Sequence, residues 1–337
     1  MPAYLIALII LCALAAAFCT FMVCFAVYAQ NKGFGGRFEK NRLLKYFTAE
    51  EFSLNTEAVE TRLGKTKLKG FIYWCGDISS VERLVIFSHG MGPGQCSYTT
   101  EIAYFCRNGC AVLAFDCCGC GLSGGKSLGG LENSARVLVA AAKYAKGRRE
   151  LKNLKTYFVG HSMGAYSALV AASFAHADGV VSFSAPDQPS RMVECGAAPL
   201  TGKFFAKILR PFVKVVTFFR FGKYADIKAS RAIVRSGVPA LVIHGDCDTA
   251  VPLELSAYNN LSEVGNIKLM LCRGKGHNPY NTISAERRLN ELKQGIMTAD
   301  KMSEREKQAF FSAQDYYAIC EEDAEVMSAV YDFIFAD

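Results

Sequence analysis

Short apolar runs recur along most of the chain and alternate with segments in which apolar residues return at helical spacing. They lie at residues 81–88, 110–115, 154–159, 179–184, 238–244 and 266–272. A continuous apolar run of this length is typical of a buried strand, and a helical period between such runs is typical of crossover helices. The pattern therefore predicts an α/β protein with a mostly parallel central sheet and helices on both faces.

The amino-terminal stretch has a different pattern. No charged side chain occurs from Pro2 to Asn31, and residues 3–29 are almost wholly apolar. At about 1.5 Å per residue, a helix of this length exceeds the roughly 30 Å bilayer core, so the pattern predicts a single transmembrane anchor. The alternative is a cleaved signal peptide, with Val27 and Ala29 at the small-residue positions. Against it, the run is longer than the usual apolar core of about 7–15 residues, and no Lys or Arg precedes it.

Basic residues cluster after the anchor, in a linker over residues 30–48. They are Lys32, Arg37, Lys40, Arg42 and Lys45. Positive charge on this side of the span predicts that the domain after it lies in the cytoplasm. The 14 cysteines agree with that prediction, because the chain is not a small disulfide scaffold and free thiols suit a reducing compartment.

Candidate chemistry lies in the loops that follow the predicted strands. The sequence GHSMG at 160–164 joins an apolar run to a helical pattern, which makes Ser162 a candidate nucleophile. Asp246 and Asp248 follow the next-to-last strand, and His277 follows the last one and is the only histidine after these acids. A serine hydroxyl needs an imidazole to accept its proton, and the imidazole needs a carboxylate to orient it. The order Ser, Asp, His therefore indicates a catalytic triad.

Four segments together resemble motifs of the α/β-hydrolase fold family, and within it of the monoglyceride-lipase-like serine hydrolases with a serine aminopeptidase S33-type domain. They are IFSHGMG at 86–92, AFDCCGCGLSGG at 114–125, GHSMG, and HGDCDTAVP at 244–252. The resemblance implies an α/β-hydrolase fold over residues 49–337 with a helical cap at about 187–236. One departure is that Cys117 and Cys118 stand where the family has an aromatic residue and an arginine.

The resemblance also implies roles for individual residues. The catalytic acid is Asp248, with Asp246 as the fallback, beside Ser162 and His277. The backbone N–H groups of Met91 and Met163 form the oxyanion hole, and His89 and Gly90 contact the substrate. No cofactor or metal is expected. The cysteines at 117, 118 and 120 have no paired motif or nearby histidine at ligand spacing.

The predicted cap is strongly basic and rich in phenylalanine. Residues 191–235 hold ten Lys or Arg against two acids, in a chain of net charge +7. This composition suits a lid that lies on an anionic membrane and admits an acyl chain. The alternative is an ordinary cap with phenylalanines packed inward and bases solvated. Nucleic-acid binding is not expected, because no recognisable module accompanies the patch.

About sixty residues follow His277. The segment 284–311 is predicted to be an exposed helical insertion, and 315–335 a closing helix on the sheet. The expected function is a membrane-anchored serine hydrolase that cleaves carboxylic esters through an acyl-enzyme, with a lipid ester such as monoacylglycerol or lysophospholipid as substrate. A short-chain carboxylesterase, a thioesterase or a peptidase remains an alternative, as does a membrane-anchored scaffold without catalysis.

Overall fold

A computed structural model describes residues 1–263 and 265–336. Eight strands of these residues form one sheet in the order β1-β2-β4-β3-β5-β6-β7-β8. The strands are β1 Asn55–Leu63, β2 Thr66–Trp74, β3 Arg83–Ser88, β4 Cys110–Phe115, β5 Lys155–His161, β6 Gly179–Phe183, β7 Ala240–Gly245 and β8 Ile267–Cys272. The neighbours from β4 to β8 pair in parallel, whereas β1–β2 and β2–β4 are antiparallel. The predicted α/β-hydrolase fold with a mostly parallel sheet is confirmed.

The central strands are apolar because helices cover both sides of the sheet. The helices are α1 Ala3–Phe34, α2 Thr99–Arg107, α3 Leu131–Gly147, α4 Met163–Ala171, α5 Pro189–Thr201, α6 Lys203–Phe221, α7 Ala229–Ser236, α8 Ile283–Thr298, α9 Glu304–Ser312, α10 Tyr316–Ile319 and α11 Ala324–Phe335. Helices α3, α4 and α7 share one buried cluster with the sheet, and α2 and α11 share another. Every residue of β4 is buried, as expected for a strand between two such layers.

The antiparallel hairpin β1–β2 was not predicted. Much of β1 is exposed, with Val59 as its one fully buried side chain, so its sequence lacks the continuous apolar run of the central strands. Gly64 lies between the two strands at φ 57°, in the left-handed region that tight turns use. The hairpin extends the sheet at its edge and lies next to β4.

The carboxyl-terminal prediction needs correction. The expected single helix over 315–335 is two helices, because the chain leaves helical geometry at Cys320 and restarts when the Asp323 side chain caps α11. The expected exposed insertion at 284–311 is also not wholly exposed. Its helices α8 and α9 bury Leu292 and Phe311 in a small cluster that includes Leu43 and Leu44 of the linker. The helical spacing of apolar residues in 284–311 could not show that this segment packs against the linker.

Helix α1 is longer than the predicted anchor and has two parts. It is the one helix in the described residues that is long and apolar enough to cross a membrane. Residues 3–21 leave almost every side chain exposed, whereas Met22, Ala26 and Gln30 form a buried stripe at a spacing of four residues. That stripe packs against cap helices α5 and α6, with the Phe25 and Phe205 rings 5.8 Å apart. Helix α1 is therefore packed against helices α5 and α6 of the predicted cap.

Candidate active site

Ser162 lies at the sharp turn between β5 and α4. Its φ and ψ are 56° and −118°, a conformation that a residue with a side chain rarely adopts, with a cost of order 1–3 kcal/mol. The turn needs glycine on both sides of the serine. A Cβ on Gly160 would overlap the backbone of Gly164, and a Cβ on Gly164 would overlap the backbone of Ser88 in β3. The glycines at 160 and 164 thus allow the tight turn that places Ser162 at the carboxyl edge of the sheet.

Asp248 and His277 are brought together by the loops that follow β7 and β8. The His277 Nδ1 lies 2.8 Å from Asp248 Oδ2, and the Asp248 side chain is fully buried. The other carboxylate oxygen accepts hydrogen bonds from the backbone N–H groups of Ala250 and Val251, at 2.8 and 2.9 Å. Burial opposes ionisation of Asp248, but the hydrogen bond and charge of His277, the Val251 N–H and the nearby His244 together hold its pKa below the usual value.

Asp246 has a different contact. Its Oδ1 accepts a hydrogen bond of 2.7 Å from the backbone N–H of Gly274, and it thereby ties the β7 loop to the β8 loop. His244 is buried and lies with Nε2 3.0 Å from the carbonyl oxygen of Val251. The carboxylate beside His277 is therefore Asp248, and Asp246 and His244 brace the loops around it.

Met91 and Met163, the two residues predicted to form the oxyanion hole, line the same cavity as Ser162. Met163 is the first residue of α4, where helix N–H groups have no intrahelical acceptor and the helix dipole is positive. Met91 follows β3 in the HGMG loop, with Met91 and Met163 both lining the cavity that holds Ser162. Such a pair of donors is what a developing oxyanion requires.

His89 does not line the cavity, contrary to the prediction that it contacts the substrate. Its side chain instead bonds to the backbone of two loops. Its ring is buried, with Nδ1 2.6 Å from the Gly90 carbonyl oxygen, and its Nε2 accepts a hydrogen bond from the Cys117 N–H at 2.9 Å. Burial lowers the pKa of His89, so the ring is neutral. Both ring nitrogens are thus engaged with backbone. Of the predicted pair, Gly90 lines the cavity, and His89 is not among the described lining residues.

His161 directly precedes Ser162 and also lines the cavity. The Gly90 N–H donates to Tyr98 Oη at 3.0 Å, and that oxygen lies 2.9 Å from His161 Nδ1. His161 Nε2 donates to the His277 carbonyl oxygen at 2.9 Å. Burial lowers the pKa of His161 to about 3, and the charge of His277 acts in the same direction. A neutral His161 therefore links the oxyanion loop to the loop of the general base.

A cavity of about 480 Å³ holds these groups together. Its lining includes Ser162, His277, Met91 and Met163. It also includes residues that the sequence did not indicate, namely Phe34, Tyr98, Glu101, Leu131, Met192, Leu289 and Lys293. Two of these, Leu289 and Lys293, are one turn apart on α8. The helical spacing of 284–311 could have shown a common face, but nothing in the sequence connects that face to the catalytic loops.

Helix α8 is held to the catalytic loop by a side chain near its start. Thr282 caps the helix by accepting from the Ala285 N–H, and Glu286 Oε2 accepts from the Gly276 N–H at 2.7 Å. Gly276 directly precedes His277. Helix α8 thus holds the backbone next to His277 through Glu286, and its residues Leu289 and Lys293 form part of the cavity wall.

These features can be compared with known proteins. The family model described as serine aminopeptidase, S33 matches residues 79–218, which span the HGMG loop, the Ser162 turn and part of the cap. The chain has the α/β-hydrolase fold, and its segment 79–218 is similar to the serine aminopeptidase S33 family. No curated protein matches it in sequence.

Several solved structures share the fold of this chain. The Pyrococcus furiosus esterase Pf2001 is 24% identical, with 77% of this chain and 95% of that chain covered and a TM-score of 0.54. Est1E from Butyrivibrio proteoclasticus is 19% identical, with 73% and 100% covered and a TM-score of 0.51. The 2,6-dihydroxy-pseudo-oxynicotine hydrolase is 13% identical, with 83% and 68% covered and a TM-score of 0.52. At these identities the likeness shows the fold.

Proposed function

We propose that the protein is a membrane-anchored serine hydrolase that cleaves lipid esters, such as monoacylglycerol or lysophospholipid, through an acyl-enzyme. One observation carries the proposal: Ser162, on its strained turn, shares a cavity with His277, whose ring is bonded to the buried Asp248. The family match and the esterases among the structural neighbours support ester hydrolysis as the reaction.

The proposed reaction has two steps. In the first, Ser162 Oγ attacks the ester carbonyl carbon while His277 takes the hydroxyl proton, and the N–H groups of Met91 and Met163 bind the oxyanion. Collapse breaks the ester bond, and His277 gives the proton to the leaving alcohol. In the second step, water attacks the acyl carbonyl carbon while His277 accepts a proton from it. The bond from that carbon to Ser162 Oγ then breaks, His277 returns the proton to Oγ, and the free acid leaves. Asp248 stabilises the imidazolium in both steps.

The membrane part of the proposal rests on α1 and the cap. Residues 3–21 expose an apolar surface about 28 Å long at the helical rise, close to the thickness of a bilayer core. On cap helix α6, Phe205 and Phe212 pack towards α1, but Phe204, Phe218 and Phe219 are exposed among basic residues. Some phenylalanines of the cap are therefore packed inward, as in an ordinary cap, and others are exposed. The exposed ones suit insertion at an anionic membrane surface.

The basic linker supports a cytoplasmic catalytic domain. Cys195 and Cys247 are exposed on that domain and can report its side of the membrane. In intact cells, an impermeant maleimide should leave both thiols unlabelled until the membrane is permeabilised. Labelling in intact cells would place the domain outside the cytoplasm.

The enzymatic proposal is tested by covalent labelling with a fluorophosphonate probe. We expect labelling of the wild type and none of Ser162→Ala. Ser97→Ala is the matched control, because Ser97 is another serine hydroxyl in the same cavity and has no proposed role in the reaction. Absence of labelling in the wild type would support the alternative of a non-catalytic scaffold.

The lipid proposal is tested with esters of increasing acyl length. We expect kcat/KM to rise from acetyl to long-chain esters, because an apolar cavity gains about 0.8 kcal/mol for each buried CH₂ group. A strict preference for acetyl or butyryl esters would instead support a short-chain carboxylesterase.

A further inference from the structure

The anchor helix does not end at the surface of the catalytic domain. Phe34, the last residue of α1, lines the catalytic cavity together with Leu131, Met163 and Met192. The same four side chains belong to, or pack against, one hydrophobic cluster of the domain. Phe34 also packs against the separate cluster that joins α1 to cap helices α5 and α6. It therefore lies where the wall of the cavity meets the interface between the anchor and the cap.

The backbone around Phe34 is fixed to the domain by hydrogen bonds. The Phe34 carbonyl oxygen accepts from the Gly129 N–H at 2.9 Å, and the Gly36 carbonyl oxygen accepts from the Leu128 N–H at 3.2 Å. Phe38 pairs with Cys120 in an isolated parallel bridge. The end of the anchor is thus built into the loop that follows β4, directly before Leu131 and helix α3.

Arg37 strengthens this attachment. Its guanidinium donates to the carbonyl oxygens of Ser123, at 2.7 Å, and Gly125, at 3.1 Å, and also to that of Gly121. A planar group with several donors suits a loop that presents several carbonyls. The position of Phe34 is therefore set by the domain and is not left to a flexible tether.

Another part of the cavity wall contains the charged side chain of Lys293. Leu289, Ile319 and Cys320 pack in the small cluster that contains Leu292 and Phe311, and Lys293 also lines the cavity. A lipid ester has an apolar acyl chain and a polar alcohol. The all-apolar group around Phe34 fits the acyl chain, and the group with Lys293 fits the polar part.

We propose that the anchor helix is part of the substrate-binding site, and that Phe34 bounds the acyl chain between Ser162 and the bilayer. An acyl chain attached at Ser162 would extend through the cavity to Phe34, at the end of the helix whose other part is the proposed membrane span. The anchor then selects acyl length as well as holding the enzyme at its substrate. This proposal rests on the proposed lipid esterase function.

The experiment measures kcat/KM across butyryl to stearoyl esters with the full-length protein. Phe34→Trp adds volume beside the acyl chain, so we expect at least about a tenfold loss for the longest esters relative to the butyryl ester. Phe34→Ala removes the ring, so the profile should shift towards longer chains. Tyr28→Ala is the control, since Tyr28 is an exposed aromatic residue on the same helix and does not belong to the described cavity lining. Its profile should match the wild type.

Fluorophosphonate labelling separates the possible failures. No labelling of the wild type would overturn the proposed function itself. Normal labelling with unchanged length profiles in both Phe34 variants would overturn the role of the anchor and leave the esterase intact. If Phe34→Trp loses labelling through misfolding, Phe34→Leu replaces it. This variant removes the ring without adding volume, and an unchanged profile would again contradict the proposal.

Discussion

Asp248 combines full burial with a lowered pKa, and that combination depends on specific partners. Burial alone would favour the neutral acid, so the ionised form exists because His277 and two backbone N–H groups share its charge. The nearby Asp246 carries the same functional group but bonds to the Gly274 N–H. The proposed catalytic acid, Asp248, thus differs from Asp246 in its neighbours.

Replacing either aspartate tests this distinction. Asp248→Asn should lower kcat by about 10⁴-fold, because an amide neither carries the charge nor holds the imidazole in the required tautomer. Asp246→Asn should retain most activity, since its amide oxygen still accepts from Gly274. Esterase assays on both purified variants check the prediction. Equal losses in the two variants would contradict the assignment of Asp248.

The buried, neutral His161 predicts a loss of stability in acid. Its pKa is lowered by burial to about 3, whereas the unfolded chain takes up a proton near the ordinary value of 6.5. The unfolded state therefore binds more protons between these values, and stability falls as the pH drops from about 6.5 towards 3. The lowered pKa of Asp248 adds to the loss at the acid end of the range.

Urea unfolding at a series of pH values checks the contribution of His161. His161→Gln cannot take up a proton, so its stability should fall less steeply below pH 6.5 than that of the wild type. His176→Gln is the matched control, because it makes the same substitution at an exposed histidine that is not in the described cavity lining. A wild-type slope in His161→Gln would contradict the prediction.

At the scale of elements, the active site depends on close packing of α4 against β3. Gly164 lies in the first turn of α4, where a Cβ would overlap the Ser88 carbonyl group. Gly164→Ala should therefore leave little folded protein, because neither backbone can move without breaking the turn at Ser162. Gly196→Ala in α5 is the matched change. Nothing lies within 4 Å of its Cβ, and alanine favours a helix by about 1 kcal/mol.

Thermal unfolding of the two alanine variants gives the measurement. The expected order of melting temperature is Gly196→Ala at or above the wild type and Gly164→Ala far below it. A Gly164→Ala protein as stable as the wild type would show that the turn tolerates a side chain.

Most of the sheet could be predicted because its strands are continuous apolar runs, and β4 was predicted with the observed bounds, Cys110–Phe115. The hairpin β1–β2 and the break between α10 and α11 could not be predicted from the sequence, because both depend on local hydrogen bonds and partial burial. The residues proposed for catalysis carry recognisable motifs. Phe34, Tyr98 and Lys293 carry none, since their places in the cavity come from tertiary packing.

For the whole molecule, the anchor, cap and cavity form a continuous arrangement. Helix α1 packs on α6, with Arg220 Nη1 donating to the buried Gln30 at 2.8 Å, and ends in the wall of the cavity. The cap therefore has a fixed position relative to the proposed membrane span. Its exposed phenylalanines and basic residues are held close to that span by the packing of α1 on α6. Access of lipid to Ser162 is expected to depend on these exposed residues.

Reversing charge on the cap tests its contact with the membrane. Lys203 and Lys207 are exposed on α6, and each base near an anionic surface contributes about 1 kcal/mol. Lys203→Glu/Lys207→Glu should lower activity on monoacylglycerol in anionic vesicles by at least about tenfold and leave activity on a soluble short-chain ester unchanged. Arg149→Glu, an exposed reversal outside the cap, should change neither activity. Equal rates on vesicles would contradict a membrane role for the cap.

The central claim is that Ser162 is the nucleophile of an ester hydrolase. Mass spectrometry of the full-length protein after reaction with a fluorophosphonate tests it most directly, because the adduct is covalent and can be assigned to one peptide. We expect a single phosphonyl adduct on Ser162, and a much slower reaction in His277→Ala. An unmodified protein, or an adduct on another residue with Ser162 unmodified, would contradict it.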